Sequence, residues 1–419
     1  MFLKKHGAYV IAFVATIIRY YDYSLFGLSA GLLSKNFMPN AEGDDQILVF
    51  FALFGLSMAV RPLGAVVFGK IGDKFGRITS VKIAMVSAAI ATGLIAILPS
   101  FEMVGWLATL LLFVCRMLFL LSLAGEIDAI RIYISEKIHK SRRNFATGVI
   151  SFSSQVGVLL ASVMYYFAVS FEELEWLWRF NFLLGAILGF GIILARGALQ
   201  ENEIFLKKKK AAGTEVNASI FKIINENRVK FFVSSVIHGL LGGIYHFLIM
   251  FLGVFVANVA NIESQKEAMF DNMGIIALYS VACLASGFVA DKVNILVQAG
   301  VAITLSIICM AAMVGFLNVG IFSQYLHYAL GGLAPFYVIP SLIKTQSMFK
   351  MMIRMRMFSI SHSVGSLVLS STTPFMCMLI WKHSESISMV FSYFLVQLLV
   401  LFAALSFTVK KHGEDLFEV

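Results

Sequence analysis

Long apolar runs recur along the whole chain, each near the roughly 20 residues that a helix needs to cross a bilayer. Read by hydropathy, they predict twelve helices over residues 8–35, 47–69, 79–99, 104–135, 145–169, 177–199, 229–257, 270–290, 295–317, 321–346, 357–381 and 386–409. Polar residues are confined mainly to short connections. The longest connection, 200–228, contains the run KKKK at 207–210 and separates six predicted helices from six. The expected fold class is therefore an all-α membrane protein with twelve transmembrane helices in two six-helix halves. Residues 1–199 form the N-terminal bundle, 200–228 a cytoplasmic linker, 229–409 the C-terminal bundle and 410–419 a cytoplasmic tail.

Composition sharpens this picture. Hydrophobic residues make up 59% of the 419 and charged residues 14%, against about 25% charged in ordinary soluble domains. The net charge of +9 does not point to nucleic acid, because the basic residues are spread over short loops. They fall mainly on one side of the predicted membrane, with Lys35, Lys266 and Lys382 on the other, beside the acidic NAEGDD segment near 40–45 and FEELE at 171–175. The positive-inside rule then puts both termini in the cytoplasm. Trp106, Trp176, Trp178 and Trp381 all fall at outer helix ends, where an aromatic belt is expected. Cys115, Cys283, Cys309 and Cys377 lie inside apolar spans at unrelated spacings, which suggests neither a metal site nor a disulfide framework. No cofactor and no enzymatic constellation is expected.

The two halves echo each other. The second span ends in FGKIGDKFGR and the eighth in SGFVADKVN, so Gly69, Asp73 and Lys74 match Gly287, Asp291 and Lys292 in spacing. Internal duplication with a site between the repeats is a common construction among secondary transporters. GKIGDKFGR resembles the loop signature of the major facilitator superfamily. RPLG at 61–64 resembles the superfamily's metabolite:proton symporter branch, which includes proline/betaine, α-ketoglutarate, citrate and shikimate transporters. DYSLFG at 22–27, Gly125-Glu126, the set Tyr133, Glu136 and Arg143, Trp178-Arg179, and the set Arg196, Leu199, Glu201 and Phe205 resemble further marks of that branch. The likeness is concentrated in the N-terminal half. Arg19 departs from it, standing where the branch commonly carries Glu. Val293-Asn294 replaces the usual Gly-Arg of the second signature.

The embedded charges supply the candidate chemistry. A charge at the bilayer centre costs roughly 2.5–3.5 kcal/mol on insertion scales, so each one needs a partner or a purpose. The resemblance implies that the first and fourth spans line a central cavity, with Arg19, Asp22 and Arg116 in it. The expected substrate site comprises Arg19, Asp22, Tyr23, Arg116, Tyr245 and Tyr337. An arginine fork would hold a carboxylate and Asp22 would orient the arginines. A closed structural network of Arg19, Asp22 and Arg116 is the competing reading of the same residues. Asp22, Glu126 and His246 are the candidates for proton coupling. Gly69, Asp73, Arg77, Glu136 and Asp291 form a candidate gating latch, in which a carboxylate caps the start of a neighbouring helix.

The expected function is secondary active transport by alternating access, with proton-coupled uptake of a small carboxylate or zwitterion. The expected location is the bacterial inner membrane, the partners are the bilayer, substrate and protons, and the state is monomeric. Export or exchange, and import of a larger polycarboxylate such as an organic iron chelate, are alternatives within transport. A transport-inactive membrane sensor or scaffold is the alternative from another class.

Overall fold

The structure is a computed structural model that describes residues 2–38, 45–75, 77–123, 140–171, 176–196, 220–262, 264–319, 321–349 and 351–411. Every expected span has a helical counterpart. The first, α1, runs Phe2–Leu28 and restarts as Ala30–Phe37 after a turn at Ser29. The second, α2, consists of Asp45–Ser57, a 3-10 turn at Met58–Val60, and Arg61–Phe75. Next come α3 (Arg77–Ile97), α4 (Trp106–Leu123), α5 (Arg143–Ser170) and α6 (Leu177–Arg196). After a short helix at Ile220–Glu226, α7 runs Arg228–Tyr245, passes through a π segment at His246–Phe251, and ends as Leu252–Asn258. Then follow α8 (Gln265–Ala290), α9 (Ile295–Asn318) and α10 (Gln324–Ser347). The chain closes with α11 (Met351–Gly365, a π segment at Ser366–Ser370, then Thr373–Ser384) and α12 (Ile387–Lys411). Among the described residues nine of these helices are long and apolar enough to cross a membrane, and Lys82–Ile97 and Leu177–Ile193 are shorter apolar helices.

Helix pairing repeats along the chain. α1 packs along α5 and α3 along α6, while α7 packs along α11 and α9 along α12. The two equivalent contacts are both made by glycine. A Cβ on Gly157 of α5 would stand 2.1 Å from the carbonyl oxygen of Ile17 in α1. A Cβ on Gly365 of α11 would stand 2.0 Å from the carbonyl oxygen of Ser235 in α7. Only a residue without a side chain permits such backbone contact, which is how helices associate where no hydrophobic effect drives them together. Side chains such as Leu63, Ile97, Ile187 and Val281 are exposed around the outside, where they would meet lipid.

The two six-helix sets meet most extensively between α5 and α8, with further contacts of α2 with α11 and of α1 with α7. At the end of the molecule that holds the first and last described residues, here the terminal face, Asp291 follows α8. It accepts from the backbone N–H groups of Asn144 (2.9 Å) and Phe145 (3.1 Å) at the start of α5, and Asn144 Nδ2 donates to the Ala290 carbonyl at 2.6 Å. At the opposite, far face, Gln265 Nε2 donates to Tyr165 Oη at 3.0 Å, and Lys382 pairs with Asp45. The described residues thus tie the two sets together near both ends of the seam.

One aromatic departs from the expected belt. Trp106 and Trp176 are exposed, but Trp178 is 4% exposed and packs edge-on against Phe37 and Phe182. Its indole fills the joint between α1 and α6 and carries the Arg179 guanidinium over its face at 4.5 Å. Packing inside the first six-helix set overrides the interfacial preference of this ring.

Candidate functional site

Regular helix is interrupted at three places, and these places converge. The 3-10 turn Met58–Val60 in α2 touches the π segment Ser366–Ser370 of α11, and the π segment His246–Phe251 of α7 packs against α1. Irregular backbone at membrane depth is tolerated where it lines a protein interior or cavity, and π segments are frequent at functional sites. The sequence explains the first interruption. Pro62 opens the second part of α2, where its missing N–H and fixed φ suit a helix start. The Gly-rich stretch before His246 lets α7 press against α11 and α12, with Gly243 against Thr373 of α11 and Gln397 of α12.

Around this level lies a polar and aromatic cluster shared by both six-helix sets. Arg116 of α4 is 2% exposed, and its guanidinium lies over the rings of Phe26 (4.4 Å), Tyr23 (5.2 Å), Phe54 (5.4 Å) and Phe119 (5.4 Å). Cation–π attraction of this kind is worth about 2 kcal/mol when desolvated. The guanidinium's one long hydrogen bond goes from Nη1 to the Tyr23 carbonyl at 3.4 Å, while Nε and Nη2 are buried without a partner. Tyr23 reaches across to α7, its hydroxyl 3.0 Å from His246 Nε2. His246 Nδ1 lies 2.9 Å from the Ser370 carbonyl of α11. A carbonyl can only accept, so in the neutral ring Nδ1 carries the proton and Nε2 accepts from Tyr23. Tyr245, the preceding residue, donates to Gln155 Oε1 of α5 at 3.3 Å. The cluster thus ties α1 and α5 to α7 and α11 through neutral hydrogen bonds around a buried cation.

A second arginine belongs to it. Arg61, at the restart of α2, is 7% exposed with its Nε unpartnered. It is electrostatically coupled to Arg116, Tyr23 and His246. No described carboxylate is set against either guanidinium. Sequence reasoning noticed Arg61 only within RPLG and did not connect it to the site. Gln155 and Ser370 escaped it too, because a polar residue on a membrane helix carries no sign of which partner it will meet.

The structure does not assemble the expected residues in one place. Tyr23, Arg116, Tyr245 and His246 come together. Arg19 and Asp22 are buried one helical step away on α1, where Asp22 faces α6 and lies within the electrostatic reach of Arg19. A Cβ on Gly185 of α6 would stand 2.1 Å from Asp22 Oδ1, and the neighbouring Tyr21 hydroxyl donates to the Asn181 carbonyl at 2.9 Å. Tyr337 is buried in α10 beside Ser306 of α9. Glu126 and Glu136 lie outside the described residues. Gly69, Asp73 and Arg77 lie on helical backbone, but their side chains are also outside the described set. Among the described residues no group of three His, Cys, Asp or Glu side chains could hold a metal ion. A separate shallow pocket at the far face contains Asp271, which already accepts from Gln324 Nε2 at 2.7 Å and from Tyr328 Oη at 3.4 Å.

Comparison with known proteins places this architecture. The shikimate transporter of Escherichia coli K12 is 31% identical over 199 residues, which are 46% of this chain and 45% of that protein. The proline/betaine transporter of Salmonella typhimurium is 32% identical over 206 residues, 48% of this chain and 41% of the relative. These two alignments therefore span less than half of each relative. A provisionally named proline/betaine transporter of Staphylococcus aureus strain MSSA476 is 26% identical over 392 residues, 88% of this chain and 81% of the relative. Among solved structures the fold matches a D-xylose–proton symporter with a TM-score of 0.70 at 16% identity, covering 94% of this chain and 95% of that one. It also matches the human organic anion transporter MFSD10, with a TM-score of 0.62 at 14% identity and coverage of 94% and 98%. The profile described as the Major Facilitator Superfamily matches residues 12–368. The chain belongs to the Major Facilitator Superfamily.

Proposed function

We propose that the protein is a secondary active transporter that works by alternating access and takes up a small carboxylate or zwitterionic metabolite together with a proton. The observation that carries this reading is Arg116: a guanidinium 2% exposed, caged by four aromatic rings, with two unpartnered nitrogens, beside the Tyr23–His246 bond that joins the two six-helix sets. An uncompensated buried charge is costly, and a planar fork with free donors is shaped for a carboxylate. The named cargoes of the relatives, shikimate and proline/betaine, all carry one. The chain then divides into bundles at 1–199 and 229–409, joined by a cytoplasmic linker at 200–228 and followed by a cytoplasmic tail at 410–419. It resides in a bacterial inner membrane as a monomer with both termini in the cytoplasm.

Of the three candidate proton carriers, His246 joins the two sets. A proton arriving at Nε2 turns that atom from acceptor to donor, so Tyr23 can no longer donate to it. That exchange reverses the α1–α7 tie, so that the Tyr23 hydroxyl accepts and its proton must find another partner, and it puts a positive charge near the buried Arg116; both give protonation a route to conformation. Asp22 and Glu126 remain as alternatives for the same role. The test is a thermal-shift screen of purified protein against organic acids, amino acids and betaines, followed by pH-dependent uptake of the hits. Arg116→Lys keeps the charge but loses the fork, and should weaken any hit by on the order of tenfold or more. Hits that bind Arg116→Lys and Arg116→Gln as tightly as the parent protein would overturn the assignment.

A further inference from the structure

We infer that the protein holds a second proton site at His238, inside the second six-helix set, where α7, α10 and α11 meet. The observation that carries it is the ring of hydroxyl groups around the imidazole. His238 of α7 is 2% exposed, with Ser234 Oγ 3.3 Å from Nδ1 and Thr345 Oγ1 of α10 3.2 Å from Nε2. Ser234 Oγ also lies 2.9 Å from Ser361 Oγ of α11. All three hydroxyl residues are fully buried. Phe358 and His362 of α11 stand beside them, their ring centroids 4.7 and 5.1 Å from that of His238. Glycine permits this approach: a Cβ on Gly239 would stand 2.6 Å from the Gly365 carbonyl oxygen of α11.

The supply of hydroxyl protons decides what this cage prefers, because each hydroxyl has one to give. Thr345 Oγ1 donates to the Ser341 or Leu342 carbonyl, each 3.0 Å away, and Ser361 Oγ donates to the Phe358 carbonyl at 3.0 Å. Ser361 then accepts from Ser234, which spends the Ser234 proton. Both ring nitrogens of His238 therefore face lone pairs, and both are satisfied when both carry hydrogen, as in an imidazolium. A neutral ring sets one nitrogen lone pair against another, or turns a hydroxyl away from its carbonyl. Two imidazoles 5.1 Å apart do not both charge, so the pair takes one proton and the cage places it on His238. Among the described side chains, the charged groups on these stretches of the packed elements are Lys344 of α10, Arg354 and Arg356 of α11, and Lys222 and Glu226 of the short helix. Arg354 donates from Nε to the Phe349 carbonyl at 3.2 Å. The cations oppose a further positive charge, so the hold on the proton comes from the cage. The site is separate from His246, which lies about 12 Å further along α7 by helix rise. Ser234, Thr345 and Ser361 all belong to the second set, so a proton here ties α10 and α11 to α7 within that set. The inference does not rest on the transport reading, since the proton is held without substrate.

The test is nuclear magnetic resonance of the imidazole nitrogens in the full-length protein, labelled at histidine and held in lipid at neutral pH without substrate. A charged ring gives two closely matched nitrogen signals, and a neutral ring gives two widely separated ones. The His238 signals are assigned by their loss in His238→Gln or, should that variant not fold, by their proximity to the Phe358 ring. The expected result is a charged His238 in the parent protein. Thr345→Val keeps the shape of the side chain but removes one acceptor, and should turn the ring neutral, while Thr345→Ser should leave it charged. Should Thr345→Val be unstable, Ser361→Ala makes the same comparison by freeing the Ser234 proton to face Nδ1. A neutral His238 in the parent would overturn the inference. So would a ring that stays charged in Thr345→Val or Ser361→Ala, because the cage would then not be what holds the proton.

Discussion

Arg19 and Arg116 are both buried arginines in the first six-helix set, yet their surroundings assign them different work. Arg19 acts on Asp22, a carboxylate with one buried oxygen unpartnered and pressed against the α1–α6 contact. Among the described residues, Arg116 is set against aromatic rings and no carboxylate. Taking away the cation that acts on a buried carboxylate leaves that group less compensated, which costs stability. Arg19→Ala should therefore lower the thermal stability of the purified protein markedly while leaving the affinity for a bound carboxylate within about threefold. A variant with normal stability and abolished binding would move Arg19 into the substrate site. His246→Gln tests coupling at the same scale. It should retain exchange of labelled for unlabelled substrate but lose accumulation driven by an imposed pH gradient. Retained accumulation would leave the coupling to Asp22 or Glu126.

At the scale of the helices, glycine contact and polar repair decide which elements can approach. The Gly157–Ile17 and Gly365–Ser235 contacts occupy equivalent places in the two sets, which explains why α1 runs along α5 as α7 runs along α11. Gly157→Val and Gly365→Val should each destabilise the protein by about 1–3 kcal/mol or more, read as a lower midpoint of thermal unfolding in detergent. In α10, Pro340 leaves the Phe336 carbonyl without its helical donor. Gln298 Nε2 of α9 supplies one at 3.3 Å while also donating to Ser286 Oγ at 2.9 Å. The prolines are thus accommodated in a helix that runs continuously from Gln324 to Ser347.

The helices were legible in the chain because apolar runs of bilayer length have few alternative explanations. Each of the twelve has a counterpart, and the main surprises are internal: the break at Ser29, the 3-10 turn in α2 and the two π segments. Those depend on tertiary contacts that hydropathy does not encode. The site was legible in part. Buried charge marked Arg116 and Asp22 alike, but one residue along a helix turns a side chain by about 100°, enough to send Tyr23 to α7 and Asp22 to α6. Arg61 was visible as a motif residue without any sign that it would be buried at the restart of α2.

For the whole molecule, the ties across the seam at the two faces are not equally strong. At the far face, Lys382 and Asp45 are 51% and 43% exposed, and such a pair is worth about 0.2–1 kcal/mol. At the terminal face, Asp291 holds two backbone N–H groups at a helix start, worth about 1–2 kcal/mol together. Gly148 and Gly287 bring the backbones together beside it. Asp291→Ala should shift the population five- to thirty-fold toward the state open at that face, while Asp45→Asn leaves the populations nearly unchanged. Spin-label distances across the α5–α8 seam would read both. Equal effects of the two variants would contradict the ranking of the latches.

The central claim is that substrate exchange passes through a carboxylate site built on Arg116. Counterflow in proteoliposomes tests it most directly, with the parent protein and Arg116→Gln reconstituted at equal density and labelled succinate outside unlabelled succinate. The expected result is transient accumulation of label by the parent and a loss of on the order of a hundredfold in initial rate for Arg116→Gln. Counterflow in Arg116→Gln at the parent rate, or no exchange by the parent with any organic acid tested, would contradict the account.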